Sequence, residues 1–254
     1  MVNKHIFLTG SEGQLGLAIS KKLNSEGCNV YGMDMNNSSK NKYLYKYKKG
    51  TVTDRVSFRE FYNLIEIKED PCKILLINNA GVSIFTPSEE RTLEEFRFVT
   101  EVNMLGPIFG MTEFSLFINR LNNLKQNQNN NNFSIINISS IYGIVSPNMS
   151  IYTDTKRNNS EIYGASKAGL IQMTKYFATR YANIPININS IAPGGVINRD
   201  VQGEDFISKY SSLVPMKRLC KEEEIAEAVY MLFNTSNNYL TGQTIAVDGG
   251  LTSW

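Results

Sequence analysis

Short apolar runs alternate along the chain with segments whose apolar residues recur every three or four positions. HIFLT (residues 5–9) is followed by Leu15, Ala18, Ile19 and Leu23, the i, i+3, i+4, i+8 spacing of one helix face. NVYGMD (29–34) predicts a second strand. A more polar third, near residues 43–51, precedes a helix carrying Val56, Phe61, Leu64 and Ile65. KILLIN (73–78) is continuously apolar, as expected of a strand buried on both faces. A long helical stretch over residues 92–124 opens on TLEE, with a capping-box pattern at Thr92 and Glu95. SIINIS (134–139), a helix over residues 161–181 and ININSI (186–191) continue the alternation. Ile225, Ala228, Val229, Leu232 and Phe233 mark a late amphipathic helix, and QTIAVDGG (243–250) a last strand. Unbroken βα alternation predicts an α/β fold: a doubly wound parallel sheet with helices on both faces. Residues 1–254 therefore read as a single domain. NQNNNN (127–132) interrupts the pattern and reads as a solvated loop before a strand.

Composition narrows the function classes. With 26 Lys plus Arg against 24 Asp plus Glu, the formal net charge is +2, which gives no reason to expect a nucleic-acid partner. No apolar run is long enough to span a bilayer, and the N-terminal MVNKHIFLTG reads as a buried strand running into a glycine turn, not a signal peptide. The three cysteines, Cys28, Cys72 and Cys220, lack metal spacing and fit buried thiols in a reducing cytoplasm. A single histidine, His5, argues against a His-based triad or a His-rich metal site, so no metal is expected.

Candidate chemistry starts at TGSEGQLG (9–16), between the first strand and the first helix, the context a dinucleotide site requires. Gly10 can make the tight turn, Gly13 can let the backbone approach a pyrophosphate, and Gly16 can let helix and strand pack closely. Gln14 and Leu15 sit where the helix begins and offers its N–H groups to phosphate. Asp34, ending the second strand, can accept both hydroxyls of an adenosine ribose and would repel a 2′-phosphate. Glu12 adds negative charge, and no Lys or Arg follows Asp34 until Lys40. NAD(H) is therefore expected over NADP(H).

Further motifs in order resemble the short-chain dehydrogenase/reductase family over nearly the whole chain: NNAG (78–81), Asn103 in EVNMLG, NISS (137–140), YGASK (163–167), PGG (193–195) and TGQTIAVDGG (241–250). The resemblance implies a three-layer Rossmann fold and a catalytic group of Asn103, Ser140, Tyr163 and Lys167. It places Asn79, Ala80 and Gly81 beside the adenosine, with Val52 also on the cofactor. Pro193 and Val196 would lie against the nicotinamide, and Tyr163 and Lys167 would touch the cofactor as well. The chemistry of the residue types agrees. Hydride reduction of a ketone leaves an alkoxide that needs a proton; a tyrosine can supply it, though its ordinary pKa is about 10. A lysine one helical turn away favours the phenolate and is expected to lower that pKa. Ser140 would orient the reacting oxygen, and Asn103 would hold a water behind Lys167.

The Tyr-x-x-x-Lys spacing occurs three times. Tyr45–Lys49 lies in a strand-like stretch, where the two side chains are too far apart to share a proton. Tyr152–Lys156 has a more usual distance from Ser140, but Thr153, Asp154 and Thr155 favour turns. Tyr163–Lys167 opens a sustained helix with Leu170, Met173, Phe177 and Tyr181 on one stripe, and is chosen. That leaves an insert, residues 147–160, expected over the active-site mouth; a surface loop away from substrate is the alternative.

Some features depart from the family pattern. The glycine spacing, SSIYG and the long Ser-to-Tyr gap resemble the family's extended branch, while NNAG, the length and the ending resemble its shorter branch. Thr51 stands where the family often has Asp, and Asn198 where a Thr usually follows PGG. The mixture resembles bacterial oxidoreductases of flagellin and surface-polysaccharide modification. This implies a hydroxyl or keto sugar, with Arg157 and Arg199 as solvated residues or phosphate contacts. A 3-oxoacyl-type ketoreductase and a non-catalytic NAD(H)-sensing regulator are the competing readings. A homo-tetramer or homo-dimer is implied, using Phe109, Phe114, Phe117, Tyr176 and Phe177, although core packing explains the same residues.

Overall fold

The computed structural model describes residues 3–65, 72–124, 132–152 and 159–254. Seven parallel strands form one sheet: β1 (Asn3–Thr9), β2 (Asn29–Asp34), β3 (Lys46–Lys49), β4 (Cys72–Asn78), β5 (Asn132–Ile138), β6 (Ile186–Pro193) and β7 (Thr244–Val247). Their spatial order is β3-β2-β1-β4-β5-β6-β7. The order reverses between β1 and β4, and the crevice at that switch point is where such sheets hold ligands.

Strand side chains alternate between two cores. Phe7, Tyr31, Met33, Ile74 and Leu76 face α2 (Arg55–Tyr62), α4 (Gly106–Leu124) and α5 (Glu161–Arg180), with Phe58, Phe61, Tyr62 and Phe114 filling that side. Ile6, Leu8, Val30, Leu75 and Ile77 face α1 (Gln14–Ser25) and α7 (Glu222–Asn234). This is the three-layer, doubly wound arrangement the alternation predicted. None of the described helices is long and apolar enough to cross a membrane.

Several expectations change. Val56 is 52% exposed, and α2 ends at Tyr62, so Leu64 and Ile65 pack from the turn beyond it. The long helix is α3 (Leu93–Thr100), a π-helical segment (Glu101–Leu105) and then α4. Thr92 and Glu95 do form the capping box. A helix not anticipated, α6 (Glu204–Leu213), packs Phe206 and Tyr210 against Ile141, Ile151 and Tyr152 in a third apolar cluster. Residues 127–131 of the Asn-rich run, Lys156 and Arg157 lie outside the described residues, while Asn132 opens β5. Phe114, Phe117 and Phe177 belong to the core rather than to an outer face; among the residues whose burial is described, Leu116 and Tyr176 are the large apolar ones of α4 and α5 that stay exposed.

Candidate active site

Gly10 adopts φ +65°, the left-handed conformation that turns the chain from β1 toward α1. A Cβ at Gly16 would stand 2.2 Å from the Gly10 carbonyl oxygen, so glycine is what lets α1 close on the turn. At Gly13 the nearest protein atom to such a Cβ is 3.5 Å away, leaving that backbone open to a ligand. α1 carries no side-chain cap, so its first N–H groups have no side-chain acceptor at the N-cap.

The turn borders a cleft of about 470 Å³. Gly10, Gly13, Gln14, Leu15 and Asp34 line one part of it, and Val52, Asn79, Ala80 and Gly81 another. Asp34 is fixed by two backbone donors: Glu12 N donates to Oδ2 at 3.1 Å and Met35 N to Oδ1 at 2.8 Å. The Glu12 carboxylate accepts from Ser39 Oγ and from Lys40 N, folding the loop after β2 toward the turn. Asn79 Nδ2 donates to the carbonyls of Thr9 and Gly10, both at 3.0 Å, so it clamps the end of β1 as well as lining the cleft. Val82, Met35 and Phe98 also line it. The sequence reading missed them, because rim residues such as Phe98, 46% exposed, follow no burial period. Thr51 lines the cleft in the position noted for its missing carboxylate.

Ser140, Tyr163, Lys167 and Asn103 gather beyond Gly81, outside the walls of that cleft. Gly81 is the junction: a Cβ there would lie 3.2 Å from Lys167 Nζ and 3.5 Å from Asn103 Oδ1. Two glycines bring the two motif segments together. A Cβ at Gly143, in the turn Ile141–Gly143, would meet the Lys167 backbone at 2.7 Å, and one at Gly164 would meet the Tyr142 carbonyl at 3.1 Å. Ser160 caps α5 by accepting from Tyr163 N. Ser140 lies near enough to the Tyr163 hydroxyl for its side chain to favour the phenolate. Asn103 sits in the π-helical segment, a distortion frequent at functional sites. Its side chain accepts from Val82 N and donates to Val82 O, both at 2.9 Å, and donates to Ser166 Oγ at 3.1 Å. Ser166 Oγ in turn donates to Tyr163 O.

The electrostatics differ from expectation. Burial pushes the Tyr163 phenol up; the neighbouring Ser140 side chain opposes this, and nearby Tyr152 adds to it. Lys167 does not bring the phenol down. It is buried, its Nζ donates to Ile138 O at 2.9 Å, and it stands 5.7 Å from the centre of the Tyr163 ring. Burial pulls Lys167 itself down to about 8. Dehydration thus moves both groups toward their neutral forms, and here it outweighs their attraction in charged form.

The other candidates fall as follows. Tyr152 packs on Phe206 with ring centres 5.7 Å apart, and its hydroxyl lies 3.2 Å from that of Tyr142. Tyr45 is 59% exposed on the approach to β3. Pro193 ends β6 and Val196 bridges to Cys220; neither lines the cleft. Gly16 packs behind it. Arg199 is exposed and ion-paired with Glu204.

A family model described as enoyl-(acyl carrier protein) reductase matches residues 11–252. Glucose 1-dehydrogenase 2 of Bacillus subtilis is 28% identical, covering 99% of this chain and 96% of the relative. A 3-oxoacyl-(acyl-carrier-protein) reductase of Thermotoga maritima is 29% identical, covering 98% and 97%. Among solved structures, a short chain dehydrogenase from Leptospira borgpetersenii with bound NAD+ superposes with a TM-score of 0.81 at 31% identity, covering 99% of this chain and 94% of that one. ElxO with NADP bound gives 0.79 at 26% identity over 100% of both chains. The matched span, the sheet order and these relatives agree: the chain belongs to the short-chain dehydrogenase/reductase family of oxidoreductases.

Proposed function

We propose that the protein is an NAD(H)-dependent dehydrogenase/reductase acting on a secondary alcohol or ketone of a sugar or sugar derivative, of the kind used in surface-glycan or flagellin modification. The observation that carries the chemistry is the gathering of Ser140, Tyr163, Asn103 and the buried Lys167 just behind Gly81, which lines a cleft of about 470 Å³ beside the glycine turn. The residues present fit a dinucleotide. Gly13 leaves its backbone open, α1 begins without a side-chain cap, and Asp34 presents a carboxylate at the end of β2.

A bound nicotinamide would supply or accept the hydride. Ser140 holds the reacting oxygen, and Tyr163 gives it a proton as the alkoxide forms. Burial keeps the Tyr163 phenol protonated at neutral pH, the form that ketone reduction consumes. Alcohol oxidation asks the reverse, and the Ser140 side chain is the neighbour that favours the phenolate. Asn103, held between Val82 and Ser166, anchors the relay that returns the proton. Asp34 and Glu12 disfavour a 2′-phosphate, which supports NAD(H), as does the Leptospira relative with NAD+. The glucose dehydrogenase relative supports a sugar-like substrate.

A 3-oxoacyl-type ketoreductase is the second reading, favoured by the Thermotoga relative and by the description of the family model. Following nicotinamide absorbance with sugars, nucleotide sugars and 3-oxoacyl thioesters, using both cofactors, separates the two. Turnover of sugar alcohols or keto sugars with NAD(H) is the expected result. Turnover confined to thioesters with NADPH overturns the reading in favour of the second. Retained NAD binding with no turnover across an alcohol and ketone panel points to a sensor.

A further inference from the structure

We propose that Gln14 and Asn198 form a latch between the glycine turn and the loop after β6, so that binding in one half of the cleft orders the other. The inference rests on the dinucleotide reading above. Gln14 is the first residue of α1 and lines the cleft. Its Nε2 donates to Ile197 O at 2.6 Å and to Glu222 Oε2, at the start of α7, at 3.2 Å. Its Oε1 accepts from Asn198 Nδ2 at 3.1 Å. Both amide protons and the carbonyl are thereby engaged, in bonds that span more than 180 residues of sequence.

The two sides of the latch differ in what holds them. α1 is seated by Gly16 against the Gly10 carbonyl and by Ile19 and Leu23 in the core. The loop is bound to itself beyond one backbone bridge, in which Ile197 N donates to Cys220 O and Cys220 N to Gly195 O, both at 2.8 Å. Gln202 Nε2 donates to Val196 O at 2.8 Å, Gln202 Oε1 accepts from Asn198 N at 2.9 Å, and Gln202 N donates to Asn198 O at 3.0 Å. It leads directly into α6, whose Phe206 packs on Tyr152 and whose Tyr210 hydroxyl accepts from Gly195 N at 2.6 Å. Past the Cys220 bridge, the segment from Asn198 into α6 is joined to the glycine turn through Gln14. Gln14 is a positioning residue: it sets the loop, and through the loop the start of α6.

The test is a double-mutant cycle with Gln14→Ala, Asn198→Ala and the pair, read by amide exchange over residues 196–203 without cofactor and by NADH titration through nicotinamide fluorescence. Each single variant should speed exchange across that loop. Each should also weaken NADH binding by about three- to tenfold, the loss of a hydrogen bond or two. The double variant should bind no more weakly than Gln14→Ala alone, because the same link has already been cut. Unchanged exchange in both single variants, or effects on Kd that multiply, overturns the latch. If the unmodified protein fails to bind NADH, the dinucleotide reading falls, and the exchange comparison still decides whether the link exists.

Discussion

At the scale of single residues, dehydration matters more than pairing in this site. Lys167 is held down to about 8 from an ordinary 10.5, with burial as the cause. The folded chain gives up this proton first, so between those two values the unfolded chain binds more protons. Stability then rises with pH across the window, and the cost of the buried charge is borne in full below about 8. Lys167→Met should flatten that rise and leave the melting temperature at pH 7 unchanged or higher, measured by thermal unfolding from pH 6 to 10.5, while turnover drops. A melting temperature that falls at every pH would assign Lys167 a mainly structural role. For the free enzyme, kcat/KM for ketone reduction should fall as pH rises through about 8, where Lys167 loses its proton while burial keeps Tyr163 protonated. At the other end of the cleft, Asp34→Ala should improve NADPH binding relative to NADH by on the order of tenfold or more, as a like-charge clash is removed. An unchanged ratio in fluorescence titration would move the discrimination away from Asp34. Residue types and spacing made the identity of these groups legible. Their protonation was not, because the direction of Lys167 Nζ toward Ile138 O and the burial of the Tyr163 hydroxyl are properties of packing.

At the scale of elements, close approach decides whether the site assembles. Gly143 lets the turn after Ser140 rest on the backbone of α5, and the atoms an added Cβ would meet, 2.7–2.8 Å away, all belong to the α5 backbone. Gly143→Ala should therefore destabilise the fold by about 1–3 kcal/mol and cost more activity than stability. Denaturant titration and turnover measured on the same preparation check this; a variant with full turnover would show that the turn and α5 need not touch. The strand–helix alternation gave away the sheet because β1, β2, β4, β5 and β6 are largely buried, mostly apolar runs bounded by polar turns. α6 escaped the same reading. Its apolar residues Phe206 and Tyr210 face Ile141, Ile151 and Tyr152 rather than the sheet, and no strand follows to frame them before α7. Apolar periodicity likewise could not say which partner covers a face, which is why Phe114 and Phe177, fully in the core, were indistinguishable from interface residues.

At the scale of the whole molecule, the sheet's reversal between β1 and β4 puts the glycine turn and the NNAG segment on the two walls of one cleft, with the SSIYG and YGASK segments just beyond. Leu116 and Tyr176, exposed on α4 and α5, are the described residues that best serve a copy of the chain. Light scattering is expected to give a dimer or tetramer, and Leu116→Lys to shift it toward monomer; a monomeric parent protein would remove α4 and α5 as an interface. Nicotinamide absorbance with Tyr163→Phe and Tyr152→Phe decides which tyrosine moves the proton. Tyr163→Phe should lose about 10²- to 10⁴-fold in turnover with NADH binding retained, and Tyr152→Phe should keep substantial turnover. Turnover that survives in Tyr163→Phe and disappears in Tyr152→Phe would contradict it.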